Sequence, residues 1–250
     1  MKDNKVLGVI PARYGSTRFP GKPLIDIKGK TMIRRVYEGA IKSSSIDKLV
    51  VATDDDRIAE EVYKFGGEVC MTSNLHTTGT DRCGEVAKKF EDFDVIINIQ
   101  GDEPLVDYKQ LDSLSESFYD TSVLISTLGI KETSNEDVVN PNRVKAVVDS
   151  KNNALYFSRS VIPSPYNSKG NHIECYPYMK HLGLYAFKRE ILLELIELPI
   201  TKLESIESLE QLRWLYFGYP IRLIETQIET PNVDTPEDLE RILKTKSHLL

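Results

Sequence analysis

The stretch KVLGVIPARYGSTRFPGKPL, residues 5–24, joins a short apolar run to a loop rich in proline, glycine and positive charge. Residues 5–11 have the β-branched composition of a strand buried on both faces of a sheet. The loop that follows carries three cations, Arg13, Arg18 and Lys22. Its prolines stiffen it, and Gly15 and Gly21 allow close backbone approach to a ligand. Because guanidinium and ammonium groups donate well to phosphate oxygens, the stretch predicts a preorganised anion-binding loop.

Alternating strand and helix patterns follow over roughly the first 130 residues. Further apolar runs lie at residues 47–53, 93–99 and 122–127. Between them, amphipathic helical spacing is seen in Ile33, Val36, Tyr37, Ala40 and Ile41, and more briefly in Ile58, Val62 and Phe65. This alternation predicts an α/β fold with right-handed crossovers, a mainly parallel sheet and a ligand crevice at the carboxyl ends of the strands.

The second half of the chain is less regular. Strands are predicted at RVKAVVD, ALYF and HLGLYAF, whereas residues 158–178 have little apolar periodicity. We interpret that segment as a long functional loop or an arm that packs on a partner, with a tolerated surface insertion as the alternative. Near residue 235 a helix start is predicted, with Thr235 as N-cap, Pro236 at N1 and Asp238 at N3.

Composition limits the class of protein. A chain of 250 residues can form one large domain, or one domain with an appended lobe. Its net charge of −6 argues against a dedicated nucleic-acid binder. The three cysteines, Cys70, Cys83 and Cys175, form no CxxC pair, so buried reduced thiols in a cytosolic compartment are expected. No run has the length of a signal-peptide core or a membrane span, so a soluble protein is expected.

Common catalytic motifs are missing. Five residues separate Gly15 from Gly21, and Pro23 follows Lys22, so the loop fails the P-loop pattern. The chain has no GxGxxG fingerprint, no zinc-like histidine or cysteine spacing and no GxSxG nucleophile elbow. A P-loop NTPase, a dinucleotide oxidoreductase, a zinc protein and a serine hydrolase are therefore disfavoured.

Two aspartates suggest a metal site. In NIQGDEP, residues 98–104, Asp102 and Glu103 come directly after an apolar strand and are expected to face the crevice. Mg²⁺ prefers carboxylate oxygens together with substrate phosphates. Asp102 is one candidate ligand, and Asp234 is a second if folding brings it across the crevice. Taken singly, each aspartate also fits a turn or cap residue.

These segments resemble the sugar-activating cytidylyltransferases, most closely those that use 3-deoxy-manno-octulosonate (Kdo). The similarity lies in motifs that occur in the family's order from residue 10 to residue 240: IPARYGSTRFPGKPL, VATDDDRI, GGEVCMT, GTDR, IQGDEP, ALYFSR, KHLGLYAF, LEQLR and VDTPEDLE. The resemblance implies a Rossmann-like nucleotidyltransferase domain over residues 1–250. It also implies a nucleotide-binding half, residues 1–130, and a sugar-binding and dimer-contact half, residues 131–250.

The implied reaction is CTP plus Kdo to CMP-Kdo plus diphosphate, with Mg²⁺, in a cytoplasmic homodimer of lipopolysaccharide synthesis. The implied catalytic residues are Arg13, Lys22, Asp102 and Asp234, of which Asp102 and Asp234 bind the metal. The implied CTP site comprises Pro11, Ala12, Arg13, Gly15, Ser16, Arg18, Lys22, Thr78, Gly79, Thr80, Arg82 and Gln100. The implied sugar site comprises Gln100, Arg159, His181, Tyr185, Glu210 and Gln211. Thr78 departs from the family pattern, where serine is common, but it retains a hydroxyl.

Two alternatives remain from the sequence. One is the same chemistry on 8-amino-Kdo or sialic acid, because the nucleotide half would look much the same. The other is a non-catalytic nucleotide-sugar sensor. Loss of Lys22 or of either aspartate would favour a sensor, and all three residues are present.

Overall fold

The computed structural model describes residues 4–15, 19–166 and 170–250. The elements of the first half are β1 (Val6–Ala12), β2 (Asp26–Ile27), β3 (Lys30–Thr31), α1 (Met32–Ala40), β4 (Lys48–Thr53), α2 (Asp56–Lys64), β5 (Val69–Met71), α3 (Gly79–Lys89), β6 (Val95–Asn98), α4 (Tyr108–Glu116) and β7 (Ile125–Lys131). The strands predicted at residues 5–11, 47–53 and 93–99 and the two helices between them are confirmed. The fourth predicted strand, residues 122–127, is displaced toward its C-terminus, because β7 runs from Ile125 to Lys131.

The second half adds strands and short helices around the same sheet. Its elements are α5 (Asn135–Val139), β8 (Lys145–Val148), β9 (Ala154–Ser158), α6 (His172–Cys175), β10 (Met179–Lys188), α7 (Arg189–Leu195), α8 (Lys202–Glu207), α9 (Gln211–Tyr216), β11 (Ile221–Glu225) and α10 (Pro236–Thr245). The predicted cap of α10 is confirmed, since the Thr235 hydroxyl accepts from the Asp238 backbone N–H and the Asp238 carboxylate accepts from the Thr235 N–H. Between β9 and β10, the described residues contain only the short α6.

One sheet runs through both halves in the strand order β11-β7-β10-β6-β1-β4-β5, with β8 paired to β10 and β9 paired to β8. β1 is parallel to β4 and β6, β4 is parallel to β5, and β11 is parallel to β7. β10 is antiparallel to both β6 and β7. The prediction of a mainly parallel sheet flanked by helices is confirmed.

Successive side chains along each strand alternate between the two faces of the sheet, and an apolar core lies on each face. In β1, Leu7 and Val9 pack into one apolar cluster, and Val6 and Ile10 pack into the other. This is the result expected when successive side chains of a strand point to opposite faces and both faces are covered by helices.

The register of the parallel strands places three loops at one edge. Val9 of β1 lies opposite Val50 of β4 and Asn98 of β6. The loops after β1, β4 and β6 therefore leave the sheet at the same edge. This arrangement predicts a ligand crevice in an open α/β sheet.

The cysteines are unpaired, as expected: Cys70 and Cys83 are buried. The expectation of burial is wrong for Cys175, which is exposed on the short helix α6. Across the described residues, none of the helices combines the length and apolarity needed to span a bilayer.

Candidate active site

A cleft opens at the carboxyl ends of β1 and β6. Its walls come from five places in the chain: Pro11, Ala12 and Arg13 at the end of β1; Lys22 and Pro23; residues 76–79 and Arg82 around the start of α3; Gln100, Gly101 and Asp102 after β6; and Asp234 before α10. Most of the residues predicted for the nucleotide and the metal are thus brought together. We call this region the cleft.

The loop after β1 is held at both of its ends. The Gly21 N–H donates to the Tyr14 carbonyl at 3.0 Å, and the Arg57 guanidinium lies 3.3 Å from the centre of the Tyr14 ring. Gly21 has φ of +71°, and a Cβ there would lie 3.2 Å from that ring, so glycine is required. A Cβ on Gly15 would contact nothing within 4 Å among the described residues, so no contact within the described protein requires glycine there.

Arg13 lies on the cleft wall with an exposed side chain. Within the described ranges it has no ion-pair partner. An exposed guanidinium beside a cleft is a ready donor for an anionic ligand. Ser16 and Arg18, also predicted to bind CTP, lie outside the described residues.

Lys22 joins the two predicted metal ligands. Its Nζ lies 2.8 Å from Asp102 Oδ2 and 3.4 Å from Asp234 Oδ1, and it donates to the Val233 carbonyl at 2.8 Å. The Lys22 side chain is 14% exposed, against 25% for Asp102 and 32% for Asp234. One ammonium therefore pairs with both carboxylates, and both remain accessible from the cleft.

A backbone hydrogen bond explains how Asp234 reaches the site. The Val233 N–H donates to the Asp102 carbonyl at 2.9 Å, and Val233 is fully buried. The next residues begin α10, whose capping box also takes in the Asp234 backbone N–H, a donor to Asp238 Oδ2 at 3.0 Å. The expectation that folding brings Asp234 across the crevice is confirmed.

Glu103 does not join Asp102 in the cleft. Its side chain is buried, and Oε2 accepts a hydrogen bond from the Thr230 hydroxyl at 2.8 Å. Burial, reinforced by the neighbouring Asp102 charge, raises the pKa of Glu103 to about 8. The expectation that both carboxylates face the crevice is wrong for Glu103, because successive side chains in this turn point in different directions.

Asp102 and Asp234 offer carboxylate oxygens, the type of ligand that Mg²⁺ prefers. Among the described residues, no cluster of three or more carboxylate, imidazole or thiol side chains could cage a metal ion. Mg²⁺ often needs fewer protein ligands, because one or two carboxylates suffice when substrate phosphates and water complete its shell. Asp102 and Asp234, converging on one cation beside an open cleft, fit that case.

The start of α3 forms another wall of the cleft. The Thr78 hydroxyl accepts from the Asp81 backbone N–H at 3.0 Å, and Asp81 Oδ2 accepts from the Thr78 N–H at 3.2 Å, which completes a capping box. Gly79 lies against Pro11, where a Cβ would come within 3.2 Å of the ring. Thr78 therefore fixes the helix start, and its hydroxyl proton is free to be donated elsewhere.

Arg82 and Thr80, predicted to contact the nucleotide, make contacts within the protein. The buried Arg82 guanidinium pairs with Asp54 at 3.3 Å and donates to the Thr72 hydroxyl. The Thr80 hydroxyl donates to Glu210 Oε2 at 2.8 Å, away from the cleft. Arg82 still borders the cleft, whereas Thr80 links the start of α3 to Glu210, just before α9.

Residues predicted for the sugar form a band beside the cleft. Gln100 Nε2 donates to the Gly183 carbonyl of β10 at 2.9 Å. Farther along, the His181 and Tyr185 rings lie 5.3 Å apart, and Tyr185 meets Trp214 of α9 at 5.0 Å. Burial lowers the pKa of His181 to about 3, so its imidazole is neutral at ordinary pH.

The last part of this band is buried. Burial raises the pKa of Glu210 and of Tyr185, and Gln211 Nε2 has no hydrogen-bond partner among the described residues. Arg159 is committed to backbone carbonyls, since its Nε donates to Glu207 at 2.7 Å. The structure brings His181, Tyr185 and Glu210 together and directs the Arg159 head group toward α8.

Several cleft residues were missed by the sequence reasoning. His76 borders the cleft, with Nε2 2.6 Å from Glu85 Oε2. Thr77 and Gly101 also line it, and a Cβ on Gly101 would lie 2.7 Å from the Pro11 carbonyl oxygen. The T-x-x-D spacing of Thr78 and Asp81 is a capping-box signal that could have placed His76 and Thr77 just before a helix.

Comparison with known proteins identifies the family of the chain. The cytidylyltransferase family profile matches residues 7–226. The 3-deoxy-manno-octulosonate cytidylyltransferase of Fusobacterium nucleatum is 50% identical over 96% of this chain and 96% of its own, and that of Parabacteroides distasonis is 48% identical over 96% and 97%.

Solved structures give the same result. A CMP:2-keto-3-deoxy-manno-octonic acid synthetase complexed with CTP superposes with a TM-score of 0.92 at 43% identity, covering 98% of this chain and 100% of the other. The 4-diphosphocytidyl-2C-methyl-D-erythritol synthase of Anaerococcus prevotii has a TM-score of 0.65 at 12% identity over 98% and 96% of the two chains, which shows a shared fold alone. The chain therefore belongs to the cytidylyltransferase family, and within it to the 3-deoxy-manno-octulosonate cytidylyltransferases.

Proposed function

We propose that this protein transfers the cytidylyl group of CTP to Kdo, giving CMP-Kdo and diphosphate. The observation that carries the proposal is the convergence of Lys22, Asp102 and Asp234 in the cleft, beside the exposed Arg13. Relatives at 50% and 48% identity bear the name of this activity. A triphosphate brings strong negative charge, and the cleft offers it cations on a loop whose ends are already fixed.

The reaction needs little covalent participation by the protein. The anomeric hydroxyl of Kdo attacks the α-phosphorus in line and diphosphate leaves, so positioning and charge stabilisation dominate the catalysis. Arg13 and Lys22 hold the triphosphate and then the departing diphosphate. Because these donors sit on a preformed loop, they lose little ordering entropy on meeting the nucleotide. Gln100, at the border between the cleft and β10, lies where the sugar would meet the α-phosphate.

We propose Asp102 and Asp234 as the ligands of Mg²⁺. Bound Mg²⁺ neutralises phosphate charge and lowers the pKa of an attacking hydroxyl. In the structure the Lys22 ammonium contacts both carboxylates. The substrate phosphates give that ammonium an alternative partner, so Lys22 can serve the carboxylates in the free protein and the nucleotide in the complex.

The sugar is assigned to the band formed by Gln100, His181, Tyr185, Glu210 and Gln211. One of its buried polar atoms, Gln211 Nε2, has no hydrogen-bond partner among the described residues. Such atoms are costly unless a ligand or water satisfies them. A polyhydroxylated acid such as Kdo offers both donors and acceptors to this band.

The experiment that tests this function is a competition between acidic sugars. Purified protein is given CTP and Mg²⁺ with equal amounts of Kdo, 8-amino-Kdo and sialic acid, and the nucleotide sugars are identified by mass spectrometry. CMP-Kdo as the dominant product is expected. A dominant CMP-linked product of another acid would keep the chemistry and overturn the sugar, and absence of any product from folded, CTP-binding protein would favour a sensor.

We further propose a cytoplasmic homodimer that serves lipopolysaccharide synthesis. The relatives' names support the pathway, because Kdo is activated for that polymer. Light scattering coupled to size exclusion tests the oligomeric state: twice the chain mass of 28.4 kDa supports the dimer, and a single chain mass at working concentration contradicts it.

A further inference from the structure

A break in the register of β10 lies beside the proposed sugar site. β10 pairs with β7 up to Leu182, opposite Leu128, and resumes at Tyr185, opposite Thr127. Gly183 and Leu184 lie between these pairs. Such a bulge re-aims the side chains on either side of it. Here those side chains include His181 and Tyr185, which the break brings to the same aromatic cluster.

One side chain, that of Thr127, makes hydrogen bonds to this bulge. The Thr127 hydroxyl, fully buried on β7, lies 2.8 Å from the Leu184 carbonyl oxygen and 3.1 Å from that of Leu182. The same oxygen lies 2.9 Å from His181 Nε2. Three polar groups of the bulge thus meet a single hydroxyl.

The number of available protons determines which group donates in each of these hydrogen bonds. A threonine hydroxyl has one proton to donate, and carbonyl oxygens can only accept. Thr127 therefore donates to a carbonyl, and its oxygen lone pairs face His181. Nε2 must then carry the proton and donate it to Thr127. The opposite assignment would leave the hydroxyl oxygen facing two carbonyl oxygens with no proton between them.

The hydrogen-bonding role of the other imidazole nitrogen of His181, Nδ1, follows from this tautomer. A neutral histidine protonated at Nε2 presents Nδ1 as an acceptor. Burial keeps the ring neutral, since the pKa of His181 falls to about 3. His181 is then prepared to accept a hydrogen bond from a hydroxyl at Nδ1 over the whole working pH range.

The bulge also reaches the cleft. The Gly183 carbonyl accepts from Gln100 Nε2 at 2.9 Å, and Gln100 lies two residues before Asp102. Thr127 holds the carbonyls on both sides of Gly183. A change in the bulge would therefore move His181 and Gln100 together.

We propose that Thr127 is a positioning residue for sugar recognition: its hydroxyl locks the β10 bulge and fixes His181 as the Nε2-protonated tautomer, so that Nδ1 accepts from a hydroxyl of the sugar. The sugar part rests on the proposed function. The tautomer and the bulge do not, and they are measurable without substrate.

The first test is spectroscopic and uses the complete protein without ligand. Long-range ¹H–¹⁵N spectra of labelled histidine give the tautomer, and His181→Gln assigns the signal among the four histidines. Protein with Thr127 is expected to show Nε2–H at pH 7. Thr127→Ser keeps this pattern because it keeps the hydroxyl. Thr127→Val, which removes the hydroxyl with little change in shape, is expected to shift His181 to the other tautomer or to a mixture.

The second test separates the two substrates. Thr127→Val is expected to raise KM for Kdo about tenfold and to raise KM for CTP by a smaller factor, transmitted through Gln100, with Thr127→Ser close to the parent. Loss of one buried hydrogen bond of about 1.4 kcal/mol corresponds to that tenfold change. If Thr127→Val does not fold, the parent and Thr127→Ser spectra still decide the tautomer.

The outcomes distinguish this proposal from the proposed function. An Nδ1–H tautomer in the parent, or a Thr127→Val variant with parental tautomer and parental KM for Kdo, overturns the role of Thr127. No turnover of Kdo by the parent, with the Nε2–H tautomer present and lost in Thr127→Val, overturns the proposed function and leaves the role of Thr127 in the bulge intact.

Discussion

Lys22 and Asp102 lie on the loops that follow two neighbouring parallel strands, and their side chains meet with Nζ 2.8 Å from Oδ2. The same ammonium contacts Asp234. A backbone hydrogen bond between the Val233 N–H and the Asp102 carbonyl holds the Asp234 segment at the cleft. The cation of the first loop and the carboxylates proposed for the metal are therefore one connected group. Changes to any of the three should affect nucleotide chemistry before they affect the fold.

Lys22→Ala should reduce kcat with CTP by about a hundredfold or more, the usual cost of removing one donor to developing charge. The melting temperature should fall by less than about 4 °C, since the loop keeps its Gly21–Tyr14 hydrogen bond. Steady-state diphosphate release and thermal unfolding measure the two effects. Lys64→Ala, at a 71% exposed side chain outside the cleft, is the matched control. Turnover near that of the parent would rule out the proposed role of Lys22.

Asp102→Asn and Asp234→Asn should each abolish Mg²⁺-dependent turnover and leave the fold intact. The backbone groups that join the two segments, the Val233 N–H and the Asp102 carbonyl, are unchanged in both variants. Activity over a Mg²⁺ titration, with circular dichroism for the fold, checks this. The exposed Asp92→Asn serves as control. Full activity of either cleft variant at ordinary Mg²⁺ would refute the shared metal site.

Thr80→Val should destabilise the protein by about 1 kcal/mol, because the Glu210 carboxylate, whose side chain is 26% exposed, loses its hydrogen bond from the buried Thr80 hydroxyl. Burial already raises the pKa of Glu210, and the Thr80 bond opposes that rise. Thr80→Ser should be close to the parent. Urea unfolding of the three proteins gives the comparison, and equal stability of Thr80→Val and the parent would mean that the contact contributes nothing.

The pair of Glu85 and His76 predicts an acid dependence of stability. Partial burial opposes ionisation of Glu85, but hydrogen bonds from Lys89, the Ser73 backbone and His76 prevail and lower its pKa to about 2. The stabilisation is therefore complete above the unfolded pKa of about 4.5 and is lost as pH falls toward 2. Glu85→Gln should be less stable than the parent at pH 7, and the gap should narrow between pH 5 and pH 2. A gap independent of pH would contradict this; the exposed Glu91→Gln is the control.

Much of the fold was predictable, because its signals are local. β1, β4 and β6 are apolar runs whose side chains are buried on both faces of the sheet. The cap at Thr235 depends only on the four residues from Thr235 to Asp238. The place of β10 was not predictable. Its antiparallel insertion between β6 and β7 depends on pairing over long sequence distances, which no local pattern records.

The candidate site divides in the same way. Lys22 and Asp102 follow strands at one sheet edge, so their proximity could be inferred from the predicted parallel order. The direction of a side chain could not: Glu103 turns to Thr230, and Thr80 turns to Glu210. These orientations depend on partners far along the chain that become neighbours only in the folded protein.

The most direct test of the account is diphosphate release by the purified protein with CTP, Kdo and Mg²⁺, measured beside Asp102→Asn and Asp92→Asn. Rapid release is expected that requires all three components, is retained in Asp92→Asn and is absent in Asp102→Asn. Folded protein that binds CTP but releases no diphosphate with Kdo and Mg²⁺ would contradict it.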